Sequence, residues 1–418
     1  MRSERGTSSI GPDQSAIPTV DGLTASERVA PETPDDVASL LAEAAARQAA
    51  VVPFGGGSKL ALGNPPQRYD ISLSTEKLGG IIDYEPTDLV LSVGAGARFA
   101  DVQAVLAEHG QSLPIDPPLA ERSTIGGLIA TAASGPRRLS VGSLRDLLIG
   151  ISVAHPSGTV TKAGGMVVKN VTGFDLPRIY HGSLGTLGVI VSANFKVLPT
   201  PRAESTVIVS AASLHEALAA ADRLRDSRIE PAALEVAWLG GGWVTAVRLA
   251  GREGTVAMLT SESQDLFGDL VEVLDQPASV RWWCDYVDAQ AGGDRPDEVV
   301  LRCAVRPRQS AQLATELHSL IAEHDLEPRY LAVSVGLGTV VARVGFPDSQ
   351  DGAAQLRSLQ ERCLQLADHV TIVAAPPAWK KGLDVWGRTP ETLDLMRALK
   401  TQFDPMRVIN PGRFAGFI

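Results

Sequence analysis

Three glycine-rich stretches hold the residues that could do chemistry in this chain: Gly55-Gly56-Gly57-Ser58-Lys59, Thr124-Ile125-Gly126-Gly127, and Gly182-Ser183-Leu184-Gly185-Thr186-Leu187-Gly188. Glycine carries no Cβ, so a flat or highly charged ligand can lie against the main chain, and successive N–H groups can form an anion nest. Thr124 stands where a helix N-cap would, ahead of the small apolar run Leu128 to Ala133, and the first-turn N–H groups beyond such a cap attract anions. Gly142 allows another tight approach further on. The chemistry this suits is the holding of a phosphate-bearing cofactor by backbone donors. Taken singly, each stretch reads more simply as a turn beside a buried helix or sheet.

Other chemistries find less support. The chain has no Gly-Lys dipeptide and therefore no Walker A loop. Gly94-Ala95-Gly96 comes nearest to a Rossmann fingerprint, but Phe99 stands where the third glycine belongs. The seven histidines form no H-x-x-H or H-x-x-x-H pair, and the three cysteines form no C-x-x-C, so a metal or iron–sulfur site is not expected. No G-x-S-x-G marks a hydrolase elbow. Trp243 and the Trp282-Trp283 pair read as core or interface residues.

The elements that must position these loops follow from pattern. Thr33-Pro34-Asp35-Asp36 is an N-cap with proline at the first helical position, and Val37, Leu40, Leu41 and Ala44 follow at helical spacing. A strand from Ala50 to Phe54 then runs straight into Gly55. Further strands are expected at 71–73, 80–84 and 89–94, with a helix over 99–109 stopped by Gly110. His155-Pro156-Ser157-Gly158 turns a hairpin, and Val189 to Val197 is β-rich. Pro199-Thr200-Pro201 breaks the pattern, after which strands and helices alternate to about residue 375, as in an α+β layer. A helix from Thr389 to Phe403 precedes Ile409-Asn410-Pro411-Gly412-Arg413-Phe414.

At 418 residues the chain has room for two or three domains, and its 21% charged and 44% hydrophobic residues are ordinary globular usage. A net charge of −10 argues against nucleic acid or an anionic membrane as partner. No segment has a membrane-spanning apolar length. Sparse cysteines and the absence of a signal peptide point to a reducing, cytoplasmic setting, and so Asn170-Val171-Thr172 carries no meaning as a glycosylation acceptor. Residues 1–31 are polar, small and aperiodic, and read as a flexible leader.

The order and spacing of VVPFGGGSKLALG (51–63), LPIDPPLAERSTIGGLIATAASGPRRLSVGSLRD (113–146) and GSLGTLGVI (182–190) resemble the FAD-binding domain of the vanillyl-alcohol oxidase / p-cresol methylhydroxylase (PCMH-type) superfamily. INPGRF resembles that superfamily's C-terminal return to the flavin domain. KNVTGFDLPRIYHGSLGTLGVI and LDVWGRTPETLDLMRALKTQFDP look like the second flavin-binding subunit of bacterial glycolate oxidases. The resemblance implies an α+β fold: a PCMH-type domain of two subdomains over 32–200, an α+β cap over 203–385, and a segment over 386–418 returning to the first domain.

The resemblance further implies that Phe54, Gly55, Gly56, Gly57, Ser58 and Lys59 wrap the FAD diphosphate through backbone N–H groups. Asp116, Pro117, Pro118, Thr124, Ile125, Gly126, Gly127, Thr131, Ser134 and Gly135 would line the diphosphate, ribityl chain and flavin edge, and Gly142 would continue that wall. Gly188, Val189 and Ile190 would hold the adenine side. Valine at Gly56 is expected to fill ligand space and to resist a positive φ. Gly55 to Gly63 contains no histidine or cysteine for covalent attachment, so the FAD is expected to dissociate.

Related hydroxy-acid dehydrogenases carry H-x-G-D-G-N-x-H in the cap, and nothing like it occurs between Arg202 and Pro376, so no catalytic residue is assigned and no convergent substrate set is expected. The function implied is an FAD-binding subunit that supports oxidation of a small 2-hydroxy acid to a 2-oxo acid, beside a second flavoprotein and an iron–sulfur subunit. A stand-alone FAD-dependent oxidoreductase and a structural subunit without flavin turnover are the alternatives.

Overall fold

A computed structural model of the chain describes residues 16–166, 175–292, 295–347 and 351–418. Asn170-Val171-Thr172 and the start of KNVTGF lie outside them. The helix Pro34–Arg47 begins as its sequence dictates. Thr33 Oγ1 accepts from the Asp36 N–H at 3.1 Å, and the Asp36 carboxylate accepts from the Thr33 N–H at 3.0 Å. Its buried stripe of Val37, Ala38, Leu41 and Ala44 packs with Val51, Ile71, Leu73 and Val191. Under it lies a parallel sheet in the order Glu27–Val29, Ile71–Ser74, Val51–Phe54.

That order corrects the flexible leader over residues 16–31. Glu27–Val29 pairs with Ile71–Leu73, Val20 is buried, and Asp21 forms an ion pair with Lys380. A three-residue edge strand is held by main-chain bonds, so it needs no apolar periodicity to show in the sequence.

The second layer is a five-stranded antiparallel sheet in the order Ile81–Glu85, Val90–Gly94, Val189–Lys196, Leu148–Ala154, Val160–Gly164. Val90–Gly94 is buried throughout, and Val189–Lys196 alternates inward and outward after its first turn of chain. Phe99–Glu108 and Ile125–Thr131 contribute Phe99, Val102, Leu106, Ile125, Leu128 and Ile129 to its core.

Beyond Leu198–Pro199 the chain enters an eight-stranded antiparallel sheet. Its order is Val271–Leu274, Ala203–Ala211, Trp243–Gly251, Ala233–Trp238, Glu327–Ser334, Thr339–Gly345, Glu298–Ala304, His369–Ala374. One face carries valine and leucine under the helices Leu214–Arg225, Glu253–Phe267, Ser310–Glu323 and Gly352–Leu366. The other face is cut small at Ala233, Ala237, Ala246 and Ala332, where Trp283 and Tyr286 of the helix Gln276–Asp288 pack down. Alanines at those positions let the helix approach closely.

The chain then returns. After the helix Leu393–Phe403, the Val51 N–H donates to the Val408 carbonyl at 2.7 Å and the Asn410 N–H to the Val51 carbonyl at 2.9 Å. Among the described residues no helix is long and apolar enough to cross a membrane, and no group of histidine, cysteine and acidic residues could hold a metal ion.

Candidate cofactor site

Where the strand Val51–Phe54 ends, the chain turns through Gly55, Gly56 and Gly57 and opens a cleft. Phe54, Gly55, Gly56, Gly57, Ser58 and Lys59 form one wall. Thr124, Gly126, Gly127 and Thr131 form the second, and Gly188, Val189 and Ile190 the third, together with Leu184 and Gly185. Asn410 and Arg413 close the cleft. A wider cleft adjoins it across the same glycine turn, reaching Gly96, Arg98 and Arg122.

The glycines are required by packing as much as by any ligand. A Cβ on Gly55 would run into the Thr124 side chain, and one on Gly56 into the Arg122 carbonyl. The expectation for Gly56 is therefore corrected. A side chain there meets protein backbone before it meets ligand space, and the left-handed residue is Gly57, with φ +70°. Gly126 is held as tightly, since a Cβ would come within 2.9 Å of Ala95 Cβ. The first two loops are thus pressed together backbone to backbone.

Thr124 departs from its expected role as well. It occupies the N-cap position of Ile125–Thr131, yet its side chain makes no capping bond. The N–H groups of Ile125 and Gly126 donate instead to the Ala97 and Ala95 carbonyls, at 3.0 and 2.8 Å. With those donors taken by a neighbouring strand end, the buried Thr124 Oγ1 is left without a partner on the wall of the cleft. Asn410 Oδ1 and Arg413 Nε are two more such atoms on the same wall. Buried polar groups are almost always hydrogen-bonded, so three unpartnered atoms in residues that line one cleft mark a place for a polar ligand. FAD, with hydroxyl and amino donors and phosphate and carbonyl acceptors, fits that set.

Several residues expected on the wall lie behind it. Ile125 is fully buried among Leu128 and Ile129, because the first turn of its helix faces the core. Gly142 has φ +77° and ends the turn Arg138–Val141 beside Asp146. Pro117, Ser134 and Gly135 are also off the wall, and a Cβ on Gly135 would strike the Asp116 carbonyl. Pro118 takes part only through its carbonyl, which accepts from Lys59 Nζ at 2.7 Å.

Asp116 does different work from the lining expected of it. Its carboxylate accepts from the Arg137 N–H at 3.1 Å and pairs with Arg248 of the cap sheet at 3.3 Å, while Arg248 also holds Glu204 at 2.9 Å. Burial pushes the Asp116 carboxyl up to about 6, against the opposing pull of Arg248. The Leu119 N–H donates to Asp288 at 2.6 Å across the same junction.

On the small-residue face of the cap, burial lifts Glu235 to about 8. Its Oε2 is bonded to Tyr286 Oη at 2.6 Å and to Ser334 Oγ at 2.9 Å. Lys59 is lowered to about 8 by burial and by the nearby guanidinium of Arg302 on the strand Glu298–Ala304. Burial and Arg138 lower Arg302 in turn. Arg302 has no local sequence signal, because it gains its meaning from chain hundreds of residues away, whereas Asn410 lies in INPGRF, which is legible by resemblance.

The chain matches two families, the FAD binding domain over residues 25–164 and the C-terminal domain of FAD linked oxidases over 386–414. It is 36% identical over 207 residues to the glycolate oxidase subunit GlcE of Escherichia coli (strain K12), an alignment covering 48% of this chain and 56% of that subunit. It is 25% identical to the glycolate oxidase subunit GlcD of Bacillus subtilis (strain 168), over 92% of this chain and 88% of that one. An alkyldihydroxyacetonephosphate synthase shares the fold at a TM-score of 0.67 and 18% identity, over 93% of this chain and 77% of that one. With the glycine cleft and both matched segments in one chain, the protein carries an FAD binding domain and a segment matching the C-terminal domain of FAD linked oxidases, and it spans about half the length of the GlcE subunit it matches.

Proposed function

We propose that this chain is an FAD-binding subunit of a glycolate-oxidase-like complex and supports the two-electron oxidation of a 2-hydroxy acid to a 2-oxo acid. The observation that carries the reading is the cleft itself, where three glycine loops and three unpartnered polar atoms converge. Bound FAD would supply the electron acceptance, which side chains cannot. The glycine walls, with Thr124, Asn410 and Arg413, would hold and orient it without a covalent link. In this reading residues 32–200 with the tail 386–418 form the cofactor unit and 203–385 the cap. Electrons would leave through a second flavoprotein and an iron–sulfur subunit in the cytoplasm. That GlcE and GlcD are glycolate oxidase subunits supports an assembly of several subunits.

A second reading, oxidation by this chain alone, is favoured by one observation. Lys59 lines the cleft and lies near enough to Arg302 of the strand Glu298–Ala304 for their charges to interact, which would suit a substrate carboxylate. Glu235 is a poor proton acceptor near neutral pH, since burial keeps its carboxyl protonated. Anaerobic mixing of the flavin-loaded chain with glycolate separates the readings. The subunit reading expects slow or absent bleaching alone and dye-linked turnover when both partners are present, whereas rapid bleaching alone selects the second. Acid precipitation should release the flavin into the supernatant, and flavin retained in the pellet would contradict the non-covalent link.

A further inference from the structure

Along the C-terminal return, Asn410 and Arg413 line the glycine cleft, whereas Pro411 and Gly412 line a separate pocket. Gln67 forms one wall of it, Arg397 and Lys400 of the helix Leu393–Phe403 another, and Arg407 stands beside them. The backbone fixes the floor. The Gln67 N–H donates to the Pro411 carbonyl at 2.9 Å, and Gly412, with φ +84°, has no room for a Cβ, which would meet Gln67 Cγ at 2.6 Å. Among the described residues three cations and no acidic side chain line this pocket, in a chain whose net charge is −10. Lys400 Nζ is spent on the Thr186 carbonyl at 2.8 Å and on the Ile409 carbonyl and the Asp404 carboxylate at 2.7 Å. Burial lowers its ammonium, Asp404 pulls the other way, and the nearby charge of Arg407 adds to the lowering. Arg397 reaches Asp394 only at 3.6 Å, and with Asp394 99% exposed that pair is worth little. Arg407 is exposed, and no ion pair or side-chain hydrogen bond holds it among the described residues. It also keeps a left-handed backbone, φ +52°, strain of a kind that collects at functional sites.

We propose that this pocket is an anion site for a small dianion of the phosphate class, free or as the end of a phosphomonoester, with Arg397 and Arg407 as its donors. Lys400 is matched by Asp404, so the open charge in the pocket is that of the two arginines. A phosphate dianion balances both. Each guanidinium is a planar fork that can grip two oxygens, and a tetrahedral group has oxygens for two such forks, whereas a planar carboxylate fills one. The site is distinct from the glycine cleft and does not depend on what that cleft holds.

The test uses the full chain with FAD present in excess, so that added phosphate does not enter the glycine cleft. Calorimetric titration at constant low ionic strength should find one site for inorganic phosphate and for phenyl phosphate. Tighter binding of the ester points to a phosphomonoester as the source, and equal binding to the free ion. Acetate should bind at least about 10-fold more weakly than either. Arg407→Gly removes a guanidinium at a position where glycine is at ease with φ, and Arg397→Gln removes the other from a half-exposed helix face. Each should weaken phosphate at least about 10-fold at unchanged flavin content, the loss expected for one charge-assisted hydrogen bond. The proposal is overturned if neither phosphate binds, if acetate binds as tightly, or if both folded variants keep the unaltered affinity. Should a variant not fold, the other variant and the acetate comparison decide. Failure of the chain to bind FAD would defeat the functional reading alone, since the two variants report on this pocket either way.

Discussion

Arg248 Nη1 lies 3.3 Å from Asp116 Oδ2, and this contact joins the cap sheet to the turn behind the second glycine loop. Both side chains are largely shielded from water, and the same guanidinium holds Glu204 at 2.9 Å and lies 5.5 Å from the centre of the Trp283 ring. One cation therefore serves two buried carboxylates at the seam between cap and cofactor unit.

Removing it should show in stability. Arg248→Met leaves Asp116 and Glu204 with only the charge of Arg137 to offset them, a loss of up to about 3–5 kcal/mol for a broken buried pair. The expected result is a fall of about 5 °C or more in melting temperature by calorimetry. Adding Glu204→Gln to Arg248→Met should recover part of the loss, and a purely additive double variant would show that the two do not interact.

Glu235 predicts a pH dependence of definite sign. Its folded pKa is raised from 4.5 to about 8, so the neutral form favours the fold. That contribution is fully present below pH 4.5 and is lost as pH rises through about 8. Glu235→Gln keeps a neutral group that can accept from Tyr286 and Ser334. Thermal melts from pH 5 to 9 should show the variant losing less stability than the unaltered protein toward the alkaline end, and parallel curves would refute the assignment.

The glycine turn predicts an order of severity. Gly56→Ala drives a Cβ into the Arg122 carbonyl, whereas a Cβ on Gly57 meets nothing nearer than Leu60 Cδ1 at 3.7 Å. Gly57→Ala carries only left-handed strain, about 1–2 kcal/mol. Melting temperature and FAD titration should both rank Gly56→Ala as the more damaging change, and the reverse order would mean the turn is built differently.

Lys59 predicts how anions should behave at the cleft. Its ammonium is lowered to about 8, so it carries charge at pH 6.5 and has lost most of it by pH 9. Binding of an unreactive dicarboxylate such as oxalate, followed by perturbation of the flavin spectrum, should weaken as pH rises through about 8. Arg302→Gln removes the repulsion from the neighbouring guanidinium and should move that midpoint upward. A midpoint indifferent to Arg302→Gln would separate the two cations.

What the sequence reveals about this protein is local. The helix Pro34–Arg47, the strand Val51–Phe54 and the cap helices Leu214–Arg225, Ser310–Glu323 and Gly352–Leu366 are legible because caps, turns and apolar spacing act within a few residues. The helices Glu253–Phe267 and Gln276–Asp288 are not, since the first buries only Val256, Ser263 and Phe267 and the second buries a bulky aromatic face against alanines on strands distant in the chain. The same contrast runs through the site. Gly55 to Lys59 declare themselves by type, while Thr124 reads as a cap and becomes an unpartnered hydroxyl only because Ala95 and Ala97 claim the helix's first donors. Ile125 and Gly142 stand in the right stretch, but core packing and turn geometry employ them elsewhere.

The Arg413 bond to the Leu60 carbonyl joins residues 353 positions apart. During synthesis the glycine turn therefore leaves the ribosome long before the group that braces it. A flavin arriving before residues 409–413 are made would meet a cleft with one wall missing.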